Sequence, residues 1–211
     1  MLKKVHKFVL DIELVSGMHI TGSDDMFDIG GADAQVIKNP LSGEPYIPGS
    51  TLKGKIRSLL DYKYGEIITL KNGNKDVMIN KKNQLCLCLF EPNDQYEPKI
   101  TRGIFRDLTL TDESKEHLKN TLGEGVYTEI KAENKINRYD GKSESPRFIE
   151  RVPAGVTFTG EINVLEFDGD DYSGLKQYLI EGLQALELNF IGGSGSRGYG
   201  QVKIKYIEED V

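Results

Sequence analysis

Between Gly192 and Val202 the chain reads GGSGSRGYGQV, five glycines within nine residues, set between a run of helical spacing and a run of strand spacing. Upstream, Leu175, Tyr178, Leu179, Leu183 and Leu186 recur every three or four residues, which predicts a helix, with Ser173 as its N-cap after the DGDD turn. Downstream, Val202, Ile204 and Tyr206 alternate with Gln201, Lys203 and Lys205, the period of a strand. Gly193, Gly195 and Gly198 spell the G-x-G-x-x-G of a dinucleotide loop. In that fold, however, the glycines follow a strand and open a helix whose N-terminus receives the pyrophosphate. Here the order is helix, glycines, strand, and no Gly-Lys-Ser or Gly-Lys-Thr follows, so both the dinucleotide and the Walker readings fail on context. Two readings remain, a flexible turn or a loop in which the glycines, interleaved with Ser194, Ser196, Arg197 and Tyr199, let another backbone approach while Arg197 beside exposed amides holds phosphate.

The stretch Ile47 to Gly65, IPGSTLKGKIRSLLDYKYG, predicts a second helix. Pro48 and Gly49 break what precedes, Ser50 or Thr51 supplies a cap, and Leu52, Ile56, Leu59 and Leu60 line one face. At about 100° per residue from Leu52, Lys53 lies near 100°, Arg57 near 140° and Lys55 near 300°. Lys53 and Arg57 therefore share a stripe, and Lys55 flanks the apolar face from the other side. Three cations in the first turns of a helix form either a phosphate cradle or an ordinary solvated face.

Elsewhere Phe8, Leu10, Ile12 and Leu14 alternate with polar neighbours, as do Val156, Phe158 and Ile162 further on, giving two more strands. The order of elements matches an α+β, ferredoxin-like (RRM-like) βαββαβ core. Such a core needs far fewer than 211 residues, so the rest must be insertions within one domain. The segment from Val126 to Arg151 is one candidate: it carries Lys131, Lys135, Arg138, Lys142, Arg147 and Arg151 against five acids, with Tyr127, Tyr139 and Phe148 interleaved. That mixture suits either an RNA-facing hairpin, whose aromatics stack on bases, or a solvated one. A net charge of −6 means that any nucleic-acid site is a local basic patch. No apolar run reaches the length of a membrane span or a signal peptide, which predicts a cytoplasmic protein without a membrane partner. Cys86 and Cys88 alternate with Leu85, Leu87 and Leu89, which predicts a strand with both thiols on one face. Two thiols make at most half a zinc tetrad, so zinc is not expected and buried cysteines are.

Four motifs, IPGSTLKGKIRSLL, YTEIKAENKINR, RFIERVP and GGSGSRGYGQV, in this order and spacing, resemble the RAMP superfamily. More closely, they are similar to the repeated backbone subunit of the type III-A CRISPR-Cas effector, the Csm complex. The resemblance implies one domain over residues 1–211, with a core at about 5–65 and 152–207, a lid at about 66–105 and a thumb at about 121–151. It implies CRISPR RNA, complementary target RNA, further copies of the chain in a filament and other Csm subunits as partners. The glycine loop then packs against RNA and binds no free cofactor. Ser50, Lys53, Lys55 and Arg57 match the family's first helix, Lys131, Arg138 and Arg147 its thumb, and Ser194, Ser196 and Arg197 its glycine-rich signature. His19 matches a family histidine that supports RNA or the active loop. The resemblance further implies a target-RNA endonuclease whose catalytic aspartate falls, in FDIGGADAQVIKNP, on Asp33. As a metal ligand, Asp33 would position Mg²⁺ or another divalent cation against the scissile phosphate. With only His6, His19 and His117 present, a mechanism using paired imidazoles is poorly supplied. Thr21 stands where the family pattern has glycine, and Phe90-Glu91 where relatives often carry Phe-Gly. A non-catalytic structural subunit and a stand-alone processor of CRISPR RNA precursors are the alternatives.

Overall fold

The computed structural model describes residues 1–22, 34–69, 75–79 and 83–210. In chain order it holds β1 (Leu2–Leu14), β2 (Tyr46–Ile47), α1 (Gly49–Tyr64), β3 (Gly65–Thr69), β4 (Lys75–Ile79) and α2 (Gln84–Cys88). There follow β5 (Gly103–Phe105), β6 (Leu108–Leu110), α3 (Asp112–Leu122), β7 (Glu129–Ile136), β8 (Ser143–Arg151), β9 (Thr157–Phe167), α4 (Tyr172–Glu187) and β10 (Val202–Asp210).

The alternation read in the sequence sets the main sheet. Phe8, Leu10, Ile12 and Leu14 of β1 are fully buried, as are Phe158, Ile162 and Val164 of β9. β1 is central, antiparallel to β9 on one side and to β10 on the other, with Ile12 opposite both Phe158 and Ile204. The order is β10-β1-β9-β6-β2, and β5 also pairs with β9. It is a mixed α/β fold built on an antiparallel sheet.

Helices α1 and α4 cover the face that carries Phe8 and Leu10. Leu52, Ile56 and Leu60 from α1 meet Leu175, Leu179 and Leu183 from α4 in one cluster, each at most 2% exposed. Burial of each such side chain is worth about 1.5–3 kcal/mol relative to exposure, enough to hold both helices on the sheet despite their modest propensity. The opposite face of the sheet carries Lys7, Asp11 and Glu13, which lie across from Lys203, Lys205 and Glu209 of β10. Two hairpins, β3-β4 and β7-β8, stand outside the main sheet as separate two-stranded ribbons. Gly103–Phe105, inside the range assigned to the lid, lies in the main sheet.

Three local expectations are corrected. Helix α4 is capped by Asp171, which accepts from the Gly174 N–H at 3.0 Å, and Ser173 already lies inside the helix. Helix α1 takes no side-chain cap from Ser50 or Thr51; the Gly49 N–H donates to Asp107 at 2.7 Å, so a residue from a distant turn satisfies the orphan donor. The third concerns Cys86 and Cys88, which sit in the short helix α2. A five-residue apolar run has too little length for its period to separate strand from helix. Both thiols are buried, as expected, and burial pushes Cys86 up to about 12 and Cys88 to about 11.

Candidate nucleic-acid interface

The glycine loop is held from below by backbone contacts that leave no room for a side chain at Gly192 or Gly200. Gly193 N–H donates to the His19 carbonyl at 2.8 Å, Gly200 N–H to the Gly17 carbonyl at 3.0 Å, and Ile191 N–H to the Gly200 carbonyl at 2.9 Å. At Gly192 (φ 81°) a Cβ would sit 2.3 Å from the His19 oxygen, and at Gly200 (φ 68°) 1.9 Å from the Ile191 oxygen. Close approach and left-handed backbone thus coincide at both positions, which is why glycine stands there. Between them Gly195–Arg197 make one 3-10 turn, opened by Ser194 in the left-handed region at φ 61°. Ser196 and Arg197 are exposed, and Arg197 donates to the Ser194 hydroxyl at 2.5 Å.

The β7-β8 hairpin closes on this loop through Glu133, midway along β7. Its carboxylate accepts from the Tyr199 hydroxyl at 2.7 Å and lies 3.3 Å from Arg197 and 3.7 Å from Lys131. The Tyr199 hydrogen bond, with Arg197 and Lys131 beside it, holds Glu133 below the usual carboxylate range. Burial, with Glu133 beside it, pushes Tyr199 up to about 12. The Tyr199 ring is itself covered by cations, the Lys131 ammonium 4.6 Å and the Arg151 guanidinium 5.4 Å from its centroid. Arg147 lies opposite Glu133 in the hairpin register and is exposed, as is Arg138 at the hairpin tip.

Helix α1 reaches the same loop with Lys55, whose ammonium lies 3.6 Å above the centroid of the Phe190 ring. Ser50 is exposed at the start of the helix and Lys53 half-buried further along it. Arg57, on the stripe it shares with Lys53, is turned to carboxylates: its guanidinium is 2.8 Å from Glu91 and 3.9 Å from Asp61. The helix therefore turns Lys55 to the glycine loop and Arg57 to the segment around Glu91.

His19 is a buried tie between these parts. Its Nδ1 faces the Glu150 carbonyl at 2.7 Å and, since a carbonyl only accepts, carries the hydrogen; Nε2 faces the Thr21 hydroxyl at 3.1 Å. Thr21, the departure from the family glycine, is used here as a partner for that ring. The Glu150 carboxylate accepts from the Val36 N–H (2.8 Å), the Lys38 ammonium (2.5 Å) and the Thr128 hydroxyl (2.6 Å). Ala34 pairs with Ile149 of β8, and its carbonyl accepts from the Glu150 N–H at 3.1 Å. Asp33 lies outside the described residues; the residue that follows it is anchored to the hairpin. Among the described residues, no group of three or more His, Cys, Asp or Glu side chains is placed to hold a metal ion.

The contacts thus bring together Lys55, Lys131, Ser194, Arg197 and, through the backbone, His19. Arg57 is drawn aside, and Arg138 stands away from the loop at the hairpin tip. Glu133, Glu150 and Phe190 are joints that sequence reasoning does not single out; Glu133 and Glu150 lie within the motifs YTEIKAENKINR and RFIERVP, but they are two of five acids in a mixed-charge segment and nothing in their spacing separates them from the others, and Phe190 lies in none of the four motifs. On the open sheet face, β1 and β10 set acids against lysines and carry no stacking aromatic of the kind on which an RRM-type platform relies; Tyr46 of β2 is the aromatic that the register places on that face.

The chain matches the RAMP superfamily over residues 11–203. It is 37% identical over 205 residues to the CRISPR system Cms endoribonuclease Csm3 of Streptococcus thermophilus, covering 96% of this chain and 88% of the relative. To the protein of the same name from Methanocaldococcus jannaschii it is 39% identical over 201 residues, covering 93% and 77%. Among solved structures, it is similar to a chain of the Csm3-Csm4 subcomplex of the type III-A CRISPR-Cas interference complex, with a TM-score of 0.54, 25% identity, and coverage of 100% and 90%. Its fold is also similar to that of a chain of the type III-B Cmr-beta complex bound to cognate target RNA, with a TM-score of 0.67 and 15% identity. That alignment covers 98% of this chain and 61% of the neighbour, so the chain spans about three fifths of it. A superfamily match over most of the sequence, and relatives this close along nearly all of it, place the chain in the RAMP superfamily and, within it, in the Csm3 family.

Proposed function

We propose that this chain is the backbone subunit of a type III-A CRISPR ribonucleoprotein, repeated along a CRISPR RNA, binding complementary target RNA and cutting it at regular intervals. The relatives' printed activity, endoribonuclease, supports the reaction. The observation that carries the reading is the linkage of four parts by direct contacts. Lys55 reaches the glycine loop through Phe190, the loop meets the β7-β8 hairpin at Glu133, and His19 ties the loop to Glu150, where the residue after Asp33 is also fixed. Cations, exposed donors and the flank of a carboxylate-bearing segment thus form one connected unit, suited to holding a phosphate backbone by charge and shape. In the same reading β1, α1, β5-β6, β9, α4 and β10 make up a ferredoxin-like core, supported by the central β1 between β9 and β10. The lid at about 66–105 and the thumb at about 121–151 are then built on the β3-β4 and β7-β8 hairpins. Ser50, Lys53, Lys55, Lys131, Arg138, Arg147, Ser194, Ser196 and Arg197 serve as RNA contacts. Arg57 joins them once it leaves Glu91, and His19 acts through the loop it supports.

In this proposal Asp33 is the catalytic residue. On the family resemblance, Asp33 would be the protein's ligand to a divalent cation, with phosphate oxygens and waters as the other donors; the nearby Glu150 carboxylate is taken up by Val36, Lys38 and Thr128. One carboxylate with substrate phosphate is a donor set that suits Mg²⁺. When bound, the ion would supply charge stabilisation at the phosphoryl oxygens. The protein's part is to hold the backbone so that the ribose 2′-hydroxyl lies in line with the scissile bond. Attack at phosphorus then expels the 5′-oxygen, leaving a 2′,3′-cyclic phosphate and a 5′-hydroxyl. The test is a time course of end-labelled complementary RNA with the guide-loaded complex, in Mg²⁺ or EDTA, comparing wild type with Asp33→Ala at matched binding. Regularly spaced cuts that require both the cation and Asp33 are expected, with cleavage in the variant slowed by a factor of about 10² or more. Target binding without cleavage by wild type would make the chain a structural subunit, and cleavage by Asp33→Ala would move the active carboxylate elsewhere.

A further inference from the structure

The cations around the glycine loop differ in what balances them. Arg197 and Lys131 share Glu133, and Arg151 lies 2.7 Å from Glu129. Lys55 meets no carboxylate among the described residues; its one close partner is the face of Phe190, 3.6 Å away. That ring is also the floor of the loop, since a Cβ at Gly195 would fall 1.9 Å from Phe190 Cγ. Phe190 thus touches the lysine on α1 and the 3-10 turn of the loop at once. An aromatic face attracts an ammonium without neutralising it, in contrast to a carboxylate, and it lets the charge be held in one place while still seeking an anion. Burial lowers the Lys55 pKa, a sign that its charge is partly stripped of water and is better served by a bound anion than by the free state.

We propose that Phe190 is a positioning residue for RNA: its ring holds the Lys55 ammonium beside the glycine loop, with no carboxylate against it among the described residues, so that one phosphate of the bound strand binds there. This rests on the RNA-binding reading above. Phe190 is not itself an RNA contact; it acts through Lys55, and its removal leaves the lysine charged but loose.

The experiment titrates the full chain with a fluorescein-labelled single-stranded RNA of the guide sequence across a range of salt, for wild type, Phe190→Leu, Phe190→Tyr, Lys55→Met and the Phe190→Leu/Lys55→Met double variant. Each phosphate contact contributes about 0.7 to the slope of log affinity against log salt on a single strand. Phe190→Leu is expected to weaken binding roughly five- to thirtyfold at low salt and to flatten the slope as far as Lys55→Met does. The double variant should be no weaker than Lys55→Met alone, and Phe190→Tyr should keep the wild-type slope. Independently of any variant at 190, the Lys55 ε-methylene protons, assigned by their loss in Lys55→Met, should resonate upfield because they lie over the ring, and should move when RNA is added. Additive losses in the double variant, a wild-type slope in Phe190→Leu, or an unshifted Lys55 resonance would overturn the assignment while leaving RNA binding intact. Absence of RNA binding by wild type at any salt would instead remove the underlying reading together with this one.

Discussion

Arg102 is 1% exposed, and its guanidinium donates to both oxygens of Asp170, at 2.8 and 3.1 Å, and to the carbonyls of Pro98 and Ile100 at 2.6 and 2.9 Å. The other side of the group lies over the Phe167 ring at 4.6 Å. A planar fork makes all of these contacts together; a lysine cannot. Arg102→Met should cost about 3–5 kcal/mol, because Asp170 is left buried and unpaired, and Arg102→Lys should recover little of it, as urea unfolding monitored by circular dichroism would report. Glu150 gives the complementary case. Burial opposes its charge, but hydrogen bonds from Lys38, Thr128 and the Val36 N–H prevail, so its pKa in the fold lies below the ordinary 4.5. The folded carboxyl therefore binds a proton more weakly than the unfolded one. Its stabilising contribution is complete above about pH 4.5 and is lost as pH falls through the lower folded value. Urea midpoints should drop on acidification across that window, and the drop should be smaller in Glu150→Gln, whose baseline at pH 7 is already lower.

Among the elements, α2 carries a prediction of its own. Cys86 and Cys88 are buried and burial keeps both thiols protonated well above neutral pH, so they are closed to reagents that need an accessible thiolate. Iodoacetamide at pH 8 should leave the native chain unlabelled over hours and label both sites in urea; rapid native labelling would mean that α2 leaves the core readily. The same helix shows where sequence reasoning reaches its limit. In β1 and β9 a long alternation was enough to name the buried side chains, and in α4 sixteen residues of helical spacing did the same. In α2 five residues fit either period, and the choice was made by what packs around them. Caps divide in the same way. Asp171 is local to α4 and lay within reach of sequence reasoning, whereas Asp107 stabilises α1 from fifty-eight residues away.

For the molecule as a whole, the order of β1, α1, β9, α4 and β10 was legible because it follows from local periods and from the glycine loop's place between helix and strand, whereas the alternation at α2 predicts a strand and sequence reasoning does not reach α3. The site was legible only in part. Lys55 and Arg197 lie in motifs, but their partners, Phe190 and Glu133, are set by how α4, β7 and the loop meet in space, and no spacing along the chain encodes that. Arg57 marks the reverse limit: a stripe on a helical projection made it the companion of Lys53, and Glu91, from a segment the projection does not contain, claims it. The sheet ends, on one side, in β10, which carries exposed Lys203 and Lys205 toward its start and exposed Glu209 toward its end. Such a border discourages a second strand from adding to it. If copies of this chain repeat along one guide, the charges on β10 work against joining their sheets through that border, which leaves the RNA to measure out the length of the array.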